Sequence, residues 1–288
     1  MKPKVSIGIS FMNPGKYFEL ALKSVFSQTF PDWELILVDD GSSDDSLTLA
    51  KSLKDARVRV YCDGQNKKLN ARLNELVERA EAPYFVRMDA DDIMHPERVE
   101  RQYRVLTQHN LNTVVGTAAY SIDADSHVVG FRASRPKPQL GFGAQYVFIH
   151  PTVAAARDWF RQNPYSLDPI YYRSEDAELW CRTTTSTEFV NLPEPLLYYR
   201  EVNTFSMKNY LGTSLGLLSI LLEEFSRPRS KFAYLFTREL AKLWIVTMIN
   251  CLGLTHWLVA RRYRPLSPTE LQRANQALEF VRQQPLPV

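Results

Sequence analysis

Tyr84-Phe85-Val86-Arg87-Met88-Asp89-Ala90-Asp91-Asp92 is a short aromatic and aliphatic run that stops on three carboxylates. The run reads as a buried strand, and the carboxylates fall at its C-terminal end. Upstream, the same pattern recurs. Val5 to Ser10 predicts a strand, and Asn13-Pro14-Gly15 a turn. Tyr17 to Gln28 predicts a helix with Phe18, Ala21, Leu22, Val25 and Phe26 on one face, ended by Pro31. Glu34 to Val38 is a second strand, running into Asp39-Asp40-Gly41-Ser42-Ser43-Asp44. Ser43 or Asp44 is positioned to cap a helix from Ser46 to Lys54. Val58 to Tyr61 is a third strand, and Leu69 to Ala80 a third helix with Leu69, Leu73, Leu76, Val77 and Ala80 on one side.

This alternation predicts an α/β fold: a mixed, mostly parallel, Rossmann-like sheet flanked by helices. Such sheets bind ligands beyond the carboxyl ends of their strands. Asp39-Asp40 and Asp89-x-Asp91-Asp92 both lie at such ends.

Further on, Glu97 to His109 predicts a helix, and Thr113 to Ala119 and Val128 to Phe131 predict strands. Pro136-Lys137-Pro138 marks a loop, and Ala144 to Ile149 leads into His150-Pro151-Thr152. Val153 to Ala156 reads as a strand, Asp176 to Thr183 as a helix and Leu196 to Arg200 as a short strand. From Tyr210 the chain is helical, with Leu211, Leu215, Leu218, Leu221, Leu222 and Phe225 in phase. The expected division is a domain over 1–205 and a helical extension over 206–288.

The 288 residues are 45% hydrophobic and 23% charged, a globular balance. Cys62, Cys181 and Cys251 lack metal-ligand spacing, and residues 1–10 carry no apolar leader, so a reduced cytoplasmic protein is expected. The net charge of +3 is uneven. Residues 227–264 hold eight Lys/Arg (Arg227, Arg229, Lys231, Arg238, Lys242, Arg261, Arg262, Arg264) against Glu239, leaving residues 1–226 acidic overall. Leu243 to Ala260 is apolar but interrupted by Asn250, Gly253, Thr255 and His256, and it is short of a full span. With Trp244 and Trp257 it suits an interfacial helix on the cytoplasmic face of an anionic inner membrane, or a packed or oligomer-forming helix; both readings stay open. Nothing in the tail matches a nucleic-acid-binding motif.

Carboxylates alone would repel a diphosphate. Carboxylates holding Mn²⁺ or Mg²⁺ attract one, because a hard cation bridges protein and phosphate oxygens. An Asp-x-Asp at a strand end suits that task, although by itself it also suits a solvated loop.

In this setting the chain resembles the family 2 glycosyltransferases of the GT-A fold, of the type that builds bacterial exopolysaccharide and O-antigen. The resemblance runs from Lys4-Val5-Ser6-Ile7 through Ser24-Val25-Phe26-Ser27-Gln28, Val38-Asp39-Asp40-Gly41-Ser42 and Leu73-Asn74. It continues through Arg87-Met88-Asp89-Ala90-Asp91-Asp92, His150-Pro151-Thr152, Glu175-Asp176-Ala177-Glu178-Leu179-Trp180 and Pro195-Leu196-Leu197-Tyr198-Tyr199-Arg200. It implies a metal-dependent, inverting transfer from a nucleotide sugar, a UDP-sugar, to a saccharide acceptor, including one linked to undecaprenyl diphosphate. By the same resemblance Asp176 is the catalytic base, and Asp91 with Asp89 the metal ligands. Asp92 is a supporting or capping residue, and Arg87 is placed to pair with the cluster. Ser10, Phe11, Asn13, Asp39, Asp40, Asn74 and Asp89 are implied on the nucleotide. His150, Glu175 and Trp180 are implied on the acceptor or diphosphate, with Trp180 alternatively a core residue. Rival readings are a sugar nucleotidyltransferase, which wants a glycine-rich loop after the first strand, and a catalytically inactive scaffold.

Overall fold

The computed structural model describes residues 2–134, 146–201, 206–223, 229–255 and 263–288. The loop expected at Pro136-Lys137-Pro138, the lead-in at Ala144, and His256, Trp257, Arg261 and Arg262 lie outside the described residues. So do Arg227 and the side chains of Arg229 and Lys231.

Strands β1 (Val5–Phe11), β2 (Trp33–Asp39), β3 (Val58–Cys62) and β4 (Tyr84–Asp89) pair in parallel in the order β3-β2-β1-β4. Helices α1 (Phe18–Phe26), α2 (Ser46–Ser52) and α3 (Lys68–Arg79) connect them. Every residue of β2 is buried, as a central strand covered on both faces requires. Each fully buried aliphatic side chain there, such as Leu35 or Leu37, contributes roughly 1.5–3 kcal/mol from apolar area removed from water.

Beyond β4 the sheet turns mixed. It continues through β8 (Ala154–Ala156), β6 (Thr113–Ile122), β9 (Glu188–Arg200) and β5 (Ile93–Met94), with β7 (Val128–Arg132) paired to β6. β8 is antiparallel to both its neighbours, whereas β6 and β9 run parallel. β9 is much longer than the expected Leu196 to Arg200. Pro193 and Pro195 hid it, because proline cannot donate to a ladder; the register shifts at that point, between Thr117 and Ala118 of the partner.

Helices α1, α2 and α4 (Arg98–Leu106) cover one face of the sheet around Ile7, Leu22, Leu37 and Val99. Helices α3, α5 (Arg157–Gln162) and α6 (Glu175–Thr183) cover the other around Leu76, Phe85, Trp159 and Leu179.

From residue 206 onward the described helices pack in two places. Helices α7 (Met207–Glu223) and α8 (Arg229–Cys251) form a hairpin, and a small core joins them to α6 through Tyr171, Ala177, Leu217, Leu221 and Leu235. The last helix, α9 (Pro268–Gln283), returns to the sheet. Ala274, Leu278 and Val281 pack on Ile93, Tyr120, Ile122 and Tyr198. A capping box between Ser267 and Glu270 starts α9, and Tyr198 Oη donates to Ala274 O at 2.7 Å. Among the described residues no helix is long and apolar enough to cross a membrane.

Candidate functional site

The parallel register aligns the strand ends. Ser10 lies opposite Asp89 and Phe11 opposite Asp39, so the loops after β1, β2 and β4 open on one rim. A cavity of about 850 Å³ is lined there by Ser10, Phe11, Asp40, Lys68, Arg173, Glu175 and Lys208, among others. A smaller one of about 300 Å³ adjoins it at Ser10 and Phe11 and reaches Asn13, Tyr17, Asp89 and Asp91.

The two aspartates after β2 divide their work. Both oxygens of buried Asp39 are spent on its own turn, Oδ1 accepting from Ser42 N at 3.0 Å and Oδ2 from Gly41 N at 3.2 Å. Gly41 has φ +85°, a conformation that side chains disfavour. Asp39, expected on the nucleotide, lines neither cavity, while Asp40 lines the larger one. Asn13 lines the smaller cavity, but its Oδ1 accepts from Ser43 N at 2.7 Å and Asp44 N at 3.2 Å, clamping the first loop to the second. Of the two expected caps, Asp44 meets α2: its Oδ1 accepts from Ser46 N, the first N–H of the helix, at 3.1 Å, and its Oδ2 from Gly15 N at 2.9 Å, while Asp45 stands at the N-cap position without a side-chain bond.

Asn74, also expected on the nucleotide, lies away from both cavities. Its side chain exchanges two 2.9 Å hydrogen bonds with the backbone of Tyr165, fastening α3 to a distant loop. Trp180 is fully buried, edge-on to Phe148 at 5.0 Å and stacked on Trp159 at 6.2 Å, so no ring face is open to a sugar.

Asp89, Asp91 and Asp92 each offer an oxygen within 4.8 Å of the others. Burial first, and the neighbouring Asp89 carboxylate second, raise the Asp91 pKa; burial and then Asp91 raise that of Asp92 further. Asp92 Oδ1 accepts from Arg200 N at 2.8 Å, while its Oδ2 is buried without a partner. Three crowded, partly uncompensated carboxylates form a hard oxygen donor set that fits Mg²⁺ or Mn²⁺. Arg200 holds the loop from behind, donating to Asp91 O at 2.8 Å and lying 4.0 Å over the Tyr17 ring.

Across from this cluster, the first turn of α6 presents Glu175 and Asp176. Glu175 lines the larger cavity. Asp176 lines a separate cavity of about 630 Å³ with Arg132, His150, Tyr199, Tyr263 and Arg264. Burial and the adjacent Asp176 push the Glu175 carboxyl up to about 8, and burial raises Asp176 as well. His150 Nε2 lies 2.9 Å from Tyr165 Oη, and Nδ1 lies 3.7 Å from Glu175 Oε1. Burial and the Arg87 cation hold the His150 imidazole well below its ordinary pKa, hence neutral.

Arg87 sits beneath all of these. It is fully buried, donates to Asp89 Oδ1 at 2.6 Å, and leaves Nε and Nη1 without partners. Arg72 and Tyr165 carried no motif. The signal for Arg72 was a cation on the apolar face of α3, one residue before Leu73.

Residues 6–162 match the model of glycosyl transferase family 2. The chain belongs to that family, and its sheet is a GT-A fold. It is 33% identical to the putative glycosyltransferase EpsE of Bacillus subtilis, over 69% of this chain and 73% of that one. It is 30% identical to the O-antigen biosynthesis glycosyltransferase WbnJ of Escherichia coli, over 78% and 90%. Among solved structures, residues 1–349 of Staphylococcus aureus TarS in complex with UDP superpose with a TM-score of 0.63 at 16% identity, covering 98% of this chain and 80% of that one.

Proposed function

We propose that this glycosyltransferase is inverting, depends on Mn²⁺ or Mg²⁺, and moves a sugar from a UDP-sugar to a saccharide acceptor in cell-surface polysaccharide synthesis. The observation that carries the reading is the partition at the start of α6: Glu175 faces one cavity and Asp176 the other. A donor bound over Ser10, Asp40 and the acidic cluster meets an acceptor bound beside His150 at these two carboxylates. TarS has been crystallised with UDP and with UDP-GlcNAc, which supports a nucleotide-sugar donor. WbnJ, by its name an O-antigen biosynthesis glycosyltransferase, supports the polysaccharide setting.

Asp176 takes the proton of the acceptor hydroxyl as that oxygen attacks the anomeric carbon from the face opposite the leaving nucleotide, which inverts its configuration. Glu175, held protonated by burial and by Asp176, adds no second negative charge beside the donor. His150, neutral, orients the wall between Tyr165 and Glu175. Asp91 and Asp89 would hold the divalent cation, which offsets charge building on the leaving diphosphate.

Family membership sets aside the nucleotidyltransferase alternative, and the retained carboxylates argue against an inactive scaffold. With Mn²⁺ and a panel of UDP-sugars, release of UDP is the readout. Asp176→Asn is expected to lower turnover by at least about 10²-fold while leaving UDP binding within a few-fold of wild type. Asp91→Ala is expected to weaken Mn²⁺-dependent UDP binding. Full turnover by Asp176→Asn would remove it as the base.

The reading extends to a lipid-linked acceptor and a docked enzyme. From Leu240 to Thr255 no residue of α8 or the turn after it is buried, and Trp244 is 66% exposed. The tail's charge lends less than its sequence suggests, because Arg238 and Lys242 pair with Glu239 and Arg264 with Glu270. Exposed apolar surface on α8, rather than net charge, supports contact with a bilayer face.

A further inference from the structure

Arg72 on α3 is only 1% exposed, yet it belongs to no motif that the sequence singled out. Every N–H of its guanidinium has an acceptor. Nε donates to Asp40 Oδ1 at 2.9 Å. Nη1 donates to Glu75 Oε2 at 2.6 Å and Asp63 Oδ2 at 3.3 Å. Nη2 donates to Asp63 Oδ1 and to Gln65 O, each at 2.6 Å. One side chain thus joins the loop after β2 to the loop between β3 and α3.

The consequence falls on Asp40. Its Oδ1 takes Arg72 Nε and also Lys67 N at 2.7 Å. Its Oδ2 accepts nothing among the described residues, and Asp40 lines the larger cavity together with Asn66 of the clamped loop. Two charge-assisted bonds to one oxygen fix the carboxylate's orientation and leave the other oxygen for a ligand. A planar fork that meets three carboxylates and a carbonyl at once is a task for arginine; a lysine offers a single point charge.

We infer that Arg72 is a positioning residue for donor recognition: it holds Asp40 and the 63–67 loop in the geometry that receives the nucleoside of the nucleotide sugar. The inference rests on the larger cavity being the donor pocket.

Calorimetric titration of the full chain with UDP tests it, with GDP and dTDP alongside. Arg72→Lys should weaken UDP binding by roughly 10- to 100-fold, the worth of a charge-assisted hydrogen bond. The KM for the nucleotide sugar should rise while kcat changes less than about three-fold, a split that general loosening of the fold would not give. In the Asp40→Asn background, Arg72→Lys should cost little more, because its effect passes through Asp40. Asp63→Asn and Glu75→Gln, on partly exposed residues, loosen the clamp without emptying a buried site and should each raise the UDP Kd by a few-fold. Unchanged UDP affinity in these two variants, or an Arg72→Lys loss that adds in full to that of Asp40→Asn, overturns the inference. Wild-type protein that binds none of the three nucleotides overturns the donor reading itself, and that result is seen before any substitution is made.

Discussion

Glu175 and Asp176 are adjacent in sequence and line different cavities. Burial and then the neighbouring Asp176 carboxylate raise the Glu175 carboxyl to about 8, and burial raises Asp176 as well. The folded pKa of Glu175 lies above that of an ordinary glutamate, so the folded protein binds the extra proton. The stability this contributes is complete below about pH 4.5 and is lost as pH rises through about 8. Wild-type unfolding free energy should therefore fall across that window by an amount on the order of a few kcal/mol, and Glu175→Gln should flatten the slope. Urea unfolding at pH 5, 6.5 and 8 measures it; equal slopes in the two proteins would refute the assignment. The sequence singled out both carboxylates but not the burial that shifts them, which comes from packing between distant segments. Asp39 and Asn74 show the opposite limit. Their residue types and motif positions match a nucleotide site, yet backbone N–H and C=O groups nearby claimed their side chains. No local pattern reveals which partner a polar side chain will find across 91 residues.

At the scale of elements, α7 rests on the residue just ahead of Glu175 and Asp176. Gly216 faces Ser174, and a Cβ there would overlap Ser174 Oγ and lie 2.9 Å from Ile170 O. Gly216→Ala should cost roughly 1–3 kcal/mol from overpacking and lower kcat more than it weakens UDP binding. Ser174→Ala in the same chain should restore part of both, because it removes the closest overlapping atom; no restoration would mean that α7 does not bear on α6. This glycine reads in sequence as a small helix-weakening residue, and only the neighbouring helix explains it. The parallel half was the legible part. In β1 to β4, continuous apolar runs, turn residues and helical periodicity all agree. In the other half, the prolines of β9, the two-residue β5 and the three alanines of β8 carry little periodic signal, and pairing between distant segments sets their structure.

At the scale of the molecule, the C-terminal helices pack in two places. α9 closes the core over Tyr198 and Ile122, so deleting everything after residue 226 would strip the sheet as well as α8. Substitution is the cleaner test of docking. Trp244→Gln with Ile245→Gln should abolish flotation with phosphatidylglycerol vesicles and leave the elution volume of the free protein unchanged. A wild-type dimer that these substitutions dissociate would assign the surface to a second copy instead. The sequence revealed apolar surface and basic charge here but not that Glu239 and Glu270 pair with much of the described charge. The contact between α7 and Ser174 then acquires a thermodynamic meaning. α8 leans on α7 through Leu235, and α7 leans on the residue before Glu175 through Gly216. If a bilayer favours one seating of this hairpin, the linkage runs both ways: occupancy of the cleft at Glu175 must change vesicle affinity by the same factor that vesicles change ligand affinity. A membrane-bound enzyme of this build would thus report its substrate load in how tightly it holds the surface.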